Sequence, residues 1–264
     1  MNAQIYDDNN NLIHPETDSG VVLHNNSNLK SFLNGLVSTD NMPTFMQNFL
    51  MCNDYVEANQ VLKTNPETYF DHAFNSWTAN NAPALSNGVC NFNGSNQYLR
   101  STPGWTIGGS DFSVEIRFKP ADVAAIHTLF SAANTSSTTG SAFFDVRLTA
   151  NGTLSWYFRN SSSTSYNIDG STVLSANSWY TVEINFDSSD NSRRLFLNGK
   201  LEGSRSNALL AFKIFTIAAG YTALSLFNGD IDYIRISDCI RHTSNYTPST
   251  PTLDDNTKSL LLFD

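Results

Sequence analysis

The fold is decided by the stretch Phe227-Asn-Gly-Asp-Ile-Asp-Tyr-Ile-Arg-Ile-Ser-Asp238, read together with Arg194-Leu-Phe-Leu-Asn-Gly-Lys-Leu-Glu-Gly-Ser204. Apolar and polar residues alternate in both stretches, which is the pattern of β-strands with one face in a core. Asn198-Gly199 is the pair that a tight hairpin turn needs, because both residues accept positive φ. The two stretches therefore predict antiparallel strands.

The same pattern repeats over most of the chain. From about residue 69 onward, short apolar-rich segments are separated by Asn/Gly/Ser turns, with no helical period between them. The predicted strands are 88–95, 97–100, 112–119, 128–131, 143–149, 153–159, 179–186, 194–197, 215–220 and 231–236. Regular turn spacing of this kind predicts a mainly β fold, an antiparallel jelly-roll sandwich.

Residues 112–119 show the alternation most clearly, because every apolar side chain in them is followed by a polar one. This predicts one face in the core and one face, with Ser113 and Glu115, in water. We also expect the indole rings of three tryptophans to lie in the core: Trp77, Trp156 and Trp179.

Charge and composition exclude several functions. The 264 residues carry 15 Lys and Arg against 24 Asp and Glu, a net charge of −9, and have no basic run. Since phosphate binding needs clustered cations, this argues against a nucleic-acid partner. No apolar window approaches the roughly 18 residues that would span a bilayer, so we expect no membrane insertion. Three cysteines without C-x-x-C spacing predict free thiols rather than disulfides or a thiolate metal site.

The beginning of the chain differs from the rest. We predict an attachment or oligomerisation region over residues 1–65 and a jelly roll over residues 66–264. Two short apolar segments flank an Asp/Asn turn in residues 5–15, which predicts a hairpin. Between Asn28 and Leu62 apolar residues recur three and four positions apart, which predicts two short helices broken at Asp40-Asn-Met-Pro43.

A series of motifs in chain order resembles the laminin-G-like (concanavalin-A-like) domains, in the version common in phage tail and fibre proteins. The motifs are 91–99 (NFNGSNQYL), 109–120 (GSDFSVEIRFKP), 177–184 (NSWYTVEI), 197–204 (LNGKLEGS), 229–237 (GDIDYIRIS), 240–251 (IRHTSNYTPSTP) and 258–264 (KSLLLFD). The resemblance implies a jelly roll, and it implies a binding module, because such sandwiches usually bind rather than catalyse.

The setting is inferred from the N-terminal sequence and the composition. Residues 1–22 resemble the N-terminal attachment segments of phage tail and head fibre proteins. The abundance of Asn, Ser, Thr and Gly is typical of β surfaces outside cells, whereas the first residues lack the basic start and apolar core of a signal peptide. We therefore expect a protein made in a host cytoplasm and assembled into a virus particle.

The acidic residues are the first candidates for a catalytic site. Glycoside hydrolases with this sandwich fold carry the pattern E-x-D-x-x-E, which this chain lacks. Asp230 and Asp232 would share one strand face, but no third acid follows at the required place, and Glu183 and Asp187 are four positions apart. The five histidines lie in predicted turns or in the N-terminal region, without metal-site spacing and without a G-x-S-x-G elbow. We expect the chain not to be an enzyme.

The resemblance allows for one ion, calcium. We expect no other cofactor. Laminin-G-like domains often hold Ca²⁺ at one rim through carboxylates and backbone carbonyls, which suit a hard cation. Carried over to this chain, the resemblance implies Asp111, Asp230 and Asp232 as ligands. An aspartate that opens a strand, as Asp111 does, also serves as a turn cap.

Glycan binding needs an aromatic ring that stacks on sugar C–H faces, with polar side chains that reach hydroxyl groups. The predicted loops supply both, and the candidate stacking residues are Trp105, Tyr166 and Tyr221. Each of these rings fits the role of a loop anchor equally well.

Together these features predict a non-enzymatic, virion-attached binding protein, a phage fibre or a tail or head decoration, that recognises host surface polysaccharide. Residues 1–65 would bind other virion proteins, and a homotrimer is expected because avidity strengthens weak sites. The first alternative is a purely structural virion protein that packs against other virion components. The second is a glycan-degrading enzyme on the same fold, which requires a carboxylate pair across an open groove.

Overall fold

The structure, a computed structural model, describes residues 75–135 and 141–263 in full, together with the backbone of four short strands before residue 75. The chain divides into two compact units, Met1–Met51 and Cys52–Asp264. None of the described residues forms a helix long and apolar enough to cross a bilayer. Cys90 lies in the core, and Cys239 is a partly buried thiol.

The first unit contains one described element, a hairpin of β1 (Ile5–Tyr6) and β2 (Leu12–Ile13). The two strands pair antiparallel with Ile5 opposite Ile13, which confirms the predicted hairpin. The predicted helices lie outside the described residues, except that Leu62 begins a strand. The division of the chain near residue 65 stays a prediction.

The second unit holds the other seventeen strands of the described chain. They are β3 (Leu62–Asn65), β4 (Thr68–Phe70), β5 (Ser76–Asn80), β6 (Ala84–Ser86), β7 (Val89–Asn93), β8 (Tyr98–Ser101), β9 (Phe112–Pro120), β10 (His127–Ala133), β11 (Phe143–Leu148), β12 (Leu154–Arg159), β13 (Ile168–Asp169), β14 (Tyr180–Asp187), β15 (Ser192–Leu197), β16 (Lys200–Ser206), β17 (Ile214–Ile217), β18 (Asn228–Ser237) and β19 (Thr257–Leu262).

These strands form two antiparallel sheets. The nine-stranded sheet has the order β13-β12-β11-β10-β17-β8-β5-β4-β3, and the eight-stranded sheet has the order β16-β15-β14-β9-β18-β7-β6, with β19 paired to the second half of β18. The predicted mainly β antiparallel sandwich is confirmed. Sequence neighbours β9 and β10 lie in different sheets, so the chain crosses from one layer to the other.

Aromatic side chains from both sheets fill the space between the layers. Phe112 of β9 lies 5.9 Å from Phe144 and 6.1 Å from Trp156 between ring centroids, and both partners belong to the other sheet. Trp77 and Trp156 are completely buried, as predicted. Alternate residues of the same strands therefore point outward, which gives the sandwich two outer faces.

The prediction that Trp179 belongs to the core is wrong. The ring lies on the outer face of the eight-stranded sheet, 4.9 Å from the guanidinium of Arg117 and 5.2 Å from the ammonium of Lys119. The reason is register, since Tyr180 packs against the core beside Phe118 and so turns its predecessor outward.

The prediction of a water-exposed face on β9 is wrong at one end of the strand. Ser113 and Glu115 are only 2% exposed, because residues 238–256 run across them. The hydroxyl of Ser113 donates to the carbonyl of Cys239 at 2.8 Å and accepts from the amide of Arg241 at 2.9 Å. Arg241 in turn forms a bidentate pair with Asp254, at 2.5 and 2.7 Å. The C-terminal segment thus covers part of the outer face.

The turn between β15 and β16 anchors this segment. Gly199 has a φ of +75°, and its carbonyl accepts from the amide of Tyr246 at 2.8 Å. A Cβ atom at this position would lie 1.9 Å from the carbonyl oxygen of Tyr246. Only glycine allows both the turn and the close approach of the segment.

We predict that Gly199→Ala destabilises the protein by about 3 kcal/mol or more, because it adds a backbone collision to the cost of a left-handed alanine. Gly109→Ala is the matched control, since Gly109 has a φ of +76° and a Cβ atom there would have no other atom within 4 Å. The control should lose about 1 kcal/mol. Equal losses in urea unfolding would contradict the anchoring role of the turn.

Candidate functional site

The outer face of the nine-stranded sheet carries a continuous row of polar side chains. Its members face each other in register across six adjacent strands, from β12 through β11, β10, β17 and β8 to β5. The row consists of Tyr157, Asp145, Ser131, Thr216, Arg100 and Thr78. With neighbouring strands about 4.8 Å apart, it extends for about 24 Å.

Three arginines lie on this face although the chain is acidic overall. The guanidinium of Arg147 lies 4.0 Å from the ring centroid of Tyr157, and that of Arg159 lies 6.0 Å from the ring of Phe143. Arg100 donates to the carbonyl of Tyr221 at 2.6 Å. We call the surface formed by Arg100, Arg147, Arg159, Tyr157 and Tyr221 the Arg/Tyr face.

Tyr221 reaches this face from a loop, residues 218–225. Its ring packs 4.5 Å from that of Phe143. Three residues of the loop other than glycine have left-handed backbones, Ala218, Ala223 and Ser225, with φ of 65°, 59° and 54°. Such conformations cost of order 1 kcal/mol each and are found preferentially at functional sites. The loop is thus held in a demanding conformation directly beside the arginines.

Several polar atoms of this face have no hydrogen-bond partner among the described residues. They are Thr128 Oγ1 and Arg147 Nε, and both are buried. Ser131 Oγ and Asp145 Oδ1 lie opposite each other outside strict hydrogen-bond geometry, but near enough for the hydroxyl to act on the carboxyl. Asp145 is short and stands among the longer side chains of Phe143, Arg147 and Tyr157, which are its neighbours along and across the strands. Buried polar atoms without partners are rare in native proteins and call for a physical explanation.

Burial also shifts the titration of Asp145. Desolvation raises the pKa of its carboxyl to about 6, and only part of the shift is offset by the hydroxyl of Ser131 and the charge of Arg147. The carboxyl therefore changes from neutral donor to anionic acceptor close to physiological pH.

A groove adjoins the Arg/Tyr face along β5 and β8. It is shallow and open to solvent, with a volume of about 490 Å³. Its lining is polar except for Ala79 and includes Arg100 at the border with the face. Aromatic rings, guanidinium groups and a cleft thus lie on one side of one sheet.

This arrangement offers the chemistry of sugar recognition. Tyr157 and Tyr221 present ring faces or edges to sugar C–H groups, and the arginines donate hydrogen bonds to hydroxyl or carboxylate oxygens. The alternation of 143–149 and 153–159 predicts Arg147 and Arg159 on an outer face. That Arg100 shares this face could not be predicted, because its strand joins the same sheet only through β17 and β10.

The structure separates the three predicted glycan-stacking residues. Tyr221 lies on the Arg/Tyr face. Trp105 is instead stacked on Phe215 at 5.0 Å, and its indole nitrogen donates to Asn75 Oδ1 at 2.9 Å. Tyr166 is stacked on Phe158 at 5.9 Å and packs against the core. Trp105 and Tyr166 therefore serve as anchors of their loops.

The three predicted calcium ligands are not brought together. Asp111 accepts from the amide and hydroxyl of Ser188, at 2.8 and 2.7 Å. Asp230 forms an ion pair with Lys119 at 2.7 Å, and Asp232 pairs with Arg117, both far along β9 from Asp111. The part of the chain that the structure describes contains no group of three potential metal ligands. These carboxylates do not fit a shared calcium site.

A carboxylate pair does occur, on the other sheet. Glu115 and Glu183 lie directly opposite each other on β9 and β14. Glu115 accepts from Arg235, and Glu183 pairs with His242 at 2.6 Å. Burial and the neighbouring Glu115 raise the pKa of Glu183. The two residues are 2% and 0% exposed beneath the C-terminal segment, so the pair does not line an open groove.

His127 departs from the prediction that it lies in a turn. It lies in β10, is 7% exposed, and its Nε2 is 2.8 Å from a carboxylate oxygen of Asp122. The hydrogen bond from His127 lowers the pKa of Asp122. The pair is a structural tie between a loop and the nine-stranded sheet.

Comparison with known proteins identifies the family. Residues 93–244 match the family model described as the concanavalin A-like lectin/glucanases superfamily, and the chain belongs to that family. The resemblance to laminin-G-like domains is thereby confirmed. No curated protein matches the chain significantly.

Three solved structures show similarity at low identity. The carbohydrate-binding module CBM40 of the Ruminococcus gnavus IT-sialidase is 14% identical, with a TM-score of 0.48 over 61% of this chain and 95% of that chain. Domain 4 of the arabinanase AbnA of Geobacillus stearothermophilus, in complex with arabinotriose, is 17% identical, with a TM-score of 0.46 over 61% and 76%. Domains LG4-5 of the mouse laminin alpha1 chain are 13% identical, with a TM-score of 0.46 over 60% and 44%.

We predict that the free energy of unfolding decreases as the pH rises from about 4 to about 6. The unfolded state releases the Asp145 proton near pH 3.8, whereas the folded state keeps it until about pH 6. Above pH 6 the free energy of unfolding is lower by about 3 kcal/mol, since one pKa unit corresponds to about 1.4 kcal/mol. Asp145→Asn should remove this pH dependence in urea unfolding. The exposed Asp255→Asn is the control, and a pH profile of Asp145→Asn that matches the wild type would contradict the assignment.

Proposed function

We propose that this chain is a non-catalytic glycan-binding module and that the Arg/Tyr face is its recognition surface. The observation that carries the proposal is the polar row on the nine-stranded sheet, flanked by the partly exposed side chains of Arg147, Arg159 and Tyr221. Membership in a superfamily of lectins and glucanases supports a carbohydrate as the ligand.

The absence of an open carboxylate pair on the described residues supports binding over hydrolysis. Glu115 and Glu183 are each engaged with a basic partner under the C-terminal segment. On the Arg/Tyr face, Asp145 is the only acid of the polar row. A glycosidase needs two carboxyl groups on either side of the scissile bond.

The setting that we propose is a virus particle. The sequence resemblance of residues 1–22 to phage attachment segments, and of the sandwich to phage fibre domains, supports a virion-attached protein that recognises host surface polysaccharide. Residues 1–65 would contact other virion proteins. Assembly as a homotrimer would let several weak sites act together on one polysaccharide.

The test is glycan-array binding of the full chain, followed by calorimetry with the strongest glycan. We predict that Tyr157→Ala weakens binding at least tenfold, about 1.4 kcal/mol, since it removes a stacking surface and the support of Arg147. Trp179→Ala is the matched control, an aromatic residue under two cations on the opposite sheet, and should leave affinity unchanged.

Three results would overturn the proposal. Binding that is lost in Trp179→Ala but kept in Tyr157→Ala would place the site on the eight-stranded sheet. Absence of binding to every glycan tested would favour the purely structural virion role. Release of reducing sugar from a bound glycan would favour the glycan-degrading alternative.

A further inference from the structure

Arg193 is a charged residue in the interior of the sandwich. It lies on β15 and is 0% exposed. Its guanidinium carbon is 5.1 Å from the ring centroid of Trp156 and 5.4 Å from that of Phe158, both on the opposite sheet. Nη2 donates to the carbonyl of Tyr166 at 2.8 Å. The side chain therefore crosses the core between aromatic rings.

The charge of Arg193 is not compensated by an acid. None of the ion pairs between described residues includes it. The charged group that acts on it is Arg205, opposite it on β16, and burial together with this like charge lowers the pKa of Arg193 to about 10. At neutral pH the guanidinium is still charged, so two cations face each other without an anion.

Three donors of this region have no acceptor among the described side chains. They are Nε and Nη1 of Arg193 and Nε1 of Trp156. Two amide oxygens, of Asn167 and Asn207, are likewise buried and unpartnered. Asn167 follows the residue that accepts from Arg193, and Asn207 lies two positions beyond Arg205, so both belong to the same corner of the sandwich.

The corner is closed to large ligands. The sheets approach each other where β13 meets β16, and a Cβ atom at Gly203 would lie 2.8 Å from Ile168 Cγ2. Trp156, Phe158 and Ile168 are at most 4% exposed. A sugar chain or a protein segment does not fit in so tightly packed and shielded a corner.

We infer that this corner binds a small monovalent anion, chloride in the simplest case, held by Arg193 Nε and Nη1 and by the indole N–H of Trp156. The inference rests on electrostatics, since an uncompensated buried charge costs several kcal/mol. Stacking on aromatic rings recovers about 2 kcal/mol or more, but it leaves the in-plane N–H groups of the guanidinium without an acceptor. Water beside the anion would donate to the two amide oxygens. The site is separate from the Arg/Tyr face.

The first test compares thermal unfolding of the full chain in sodium chloride and in sodium gluconate at equal ionic strength. We expect a Tm higher by about 5 °C in chloride, because an anion that binds only the folded state stabilises it. Arg193→Met, which replaces the cation by an apolar side chain of similar length, should abolish the difference. Arg194→Met is the control, since Arg194 lies 3.7 Å from Asp187 on the outer face and should leave the difference intact.

A second measurement is independent of any variant. In crystals grown with sodium bromide, an anomalous peak is expected within hydrogen-bond distance of Arg193 Nε and Nη1. Equal Tm values in the two salts, or water alone at this position, would overturn the inference. A chloride effect that persists in Arg193→Met would assign the anion to the surface and would overturn it as well.

Discussion

The packing of Phe112 against Phe144 and Trp156 is the contact on which the rest of the molecule depends. It joins the middle of the eight-stranded sheet to the nine-stranded sheet at ring separations of 5.9 and 6.1 Å. Once these rings face inward, strand alternation determines the direction of every other side chain on β9, β11 and β12. Asp145, Arg147 and Tyr157 must then point outward, whatever their own preference for burial.

The two outer faces of the sandwich differ in what covers them. On the eight-stranded sheet the C-terminal segment lies over Glu115 and Glu183, which are paired with Arg235 and His242. On the nine-stranded sheet the arginines and tyrosines of the Arg/Tyr face stay partly exposed. Partly exposed guanidinium and aromatic groups can contact a ligand, whereas carboxylates covered by the chain cannot. This contrast favours the nine-stranded sheet as the recognition surface.

Much of the fold could be predicted from local patterns. The strongly alternating segments that form β9, β14 and β18 are all predicted, because alternation is a property of neighbours in sequence. The short strands β6 and β13 are not, since two or three residues show little alternation. The prediction places Trp179 in the core, but alternation with Tyr180 and Val182 on the core side turns it outward.

The site was less predictable than the fold. Tyr221 could be proposed from its loop, whereas Arg100 meets it only because β17 lies between β10 and β8. The covering of Glu115 depends equally on contacts far apart in sequence, such as that of Ser113 with Cys239. Sheet order and long-range contacts bring these groups together, and a single sequence contains no local sign of either.

The most direct test of glycan recognition by the Arg/Tyr face is to follow backbone amide chemical shifts of the isotope-labelled protein during titration with a glycan. We expect the largest changes on β11, on β12 and in residues 218–225, with smaller ones along the groove of β5 and β8. Changes concentrated on β9, β14 and the C-terminal segment would contradict this placement of the site.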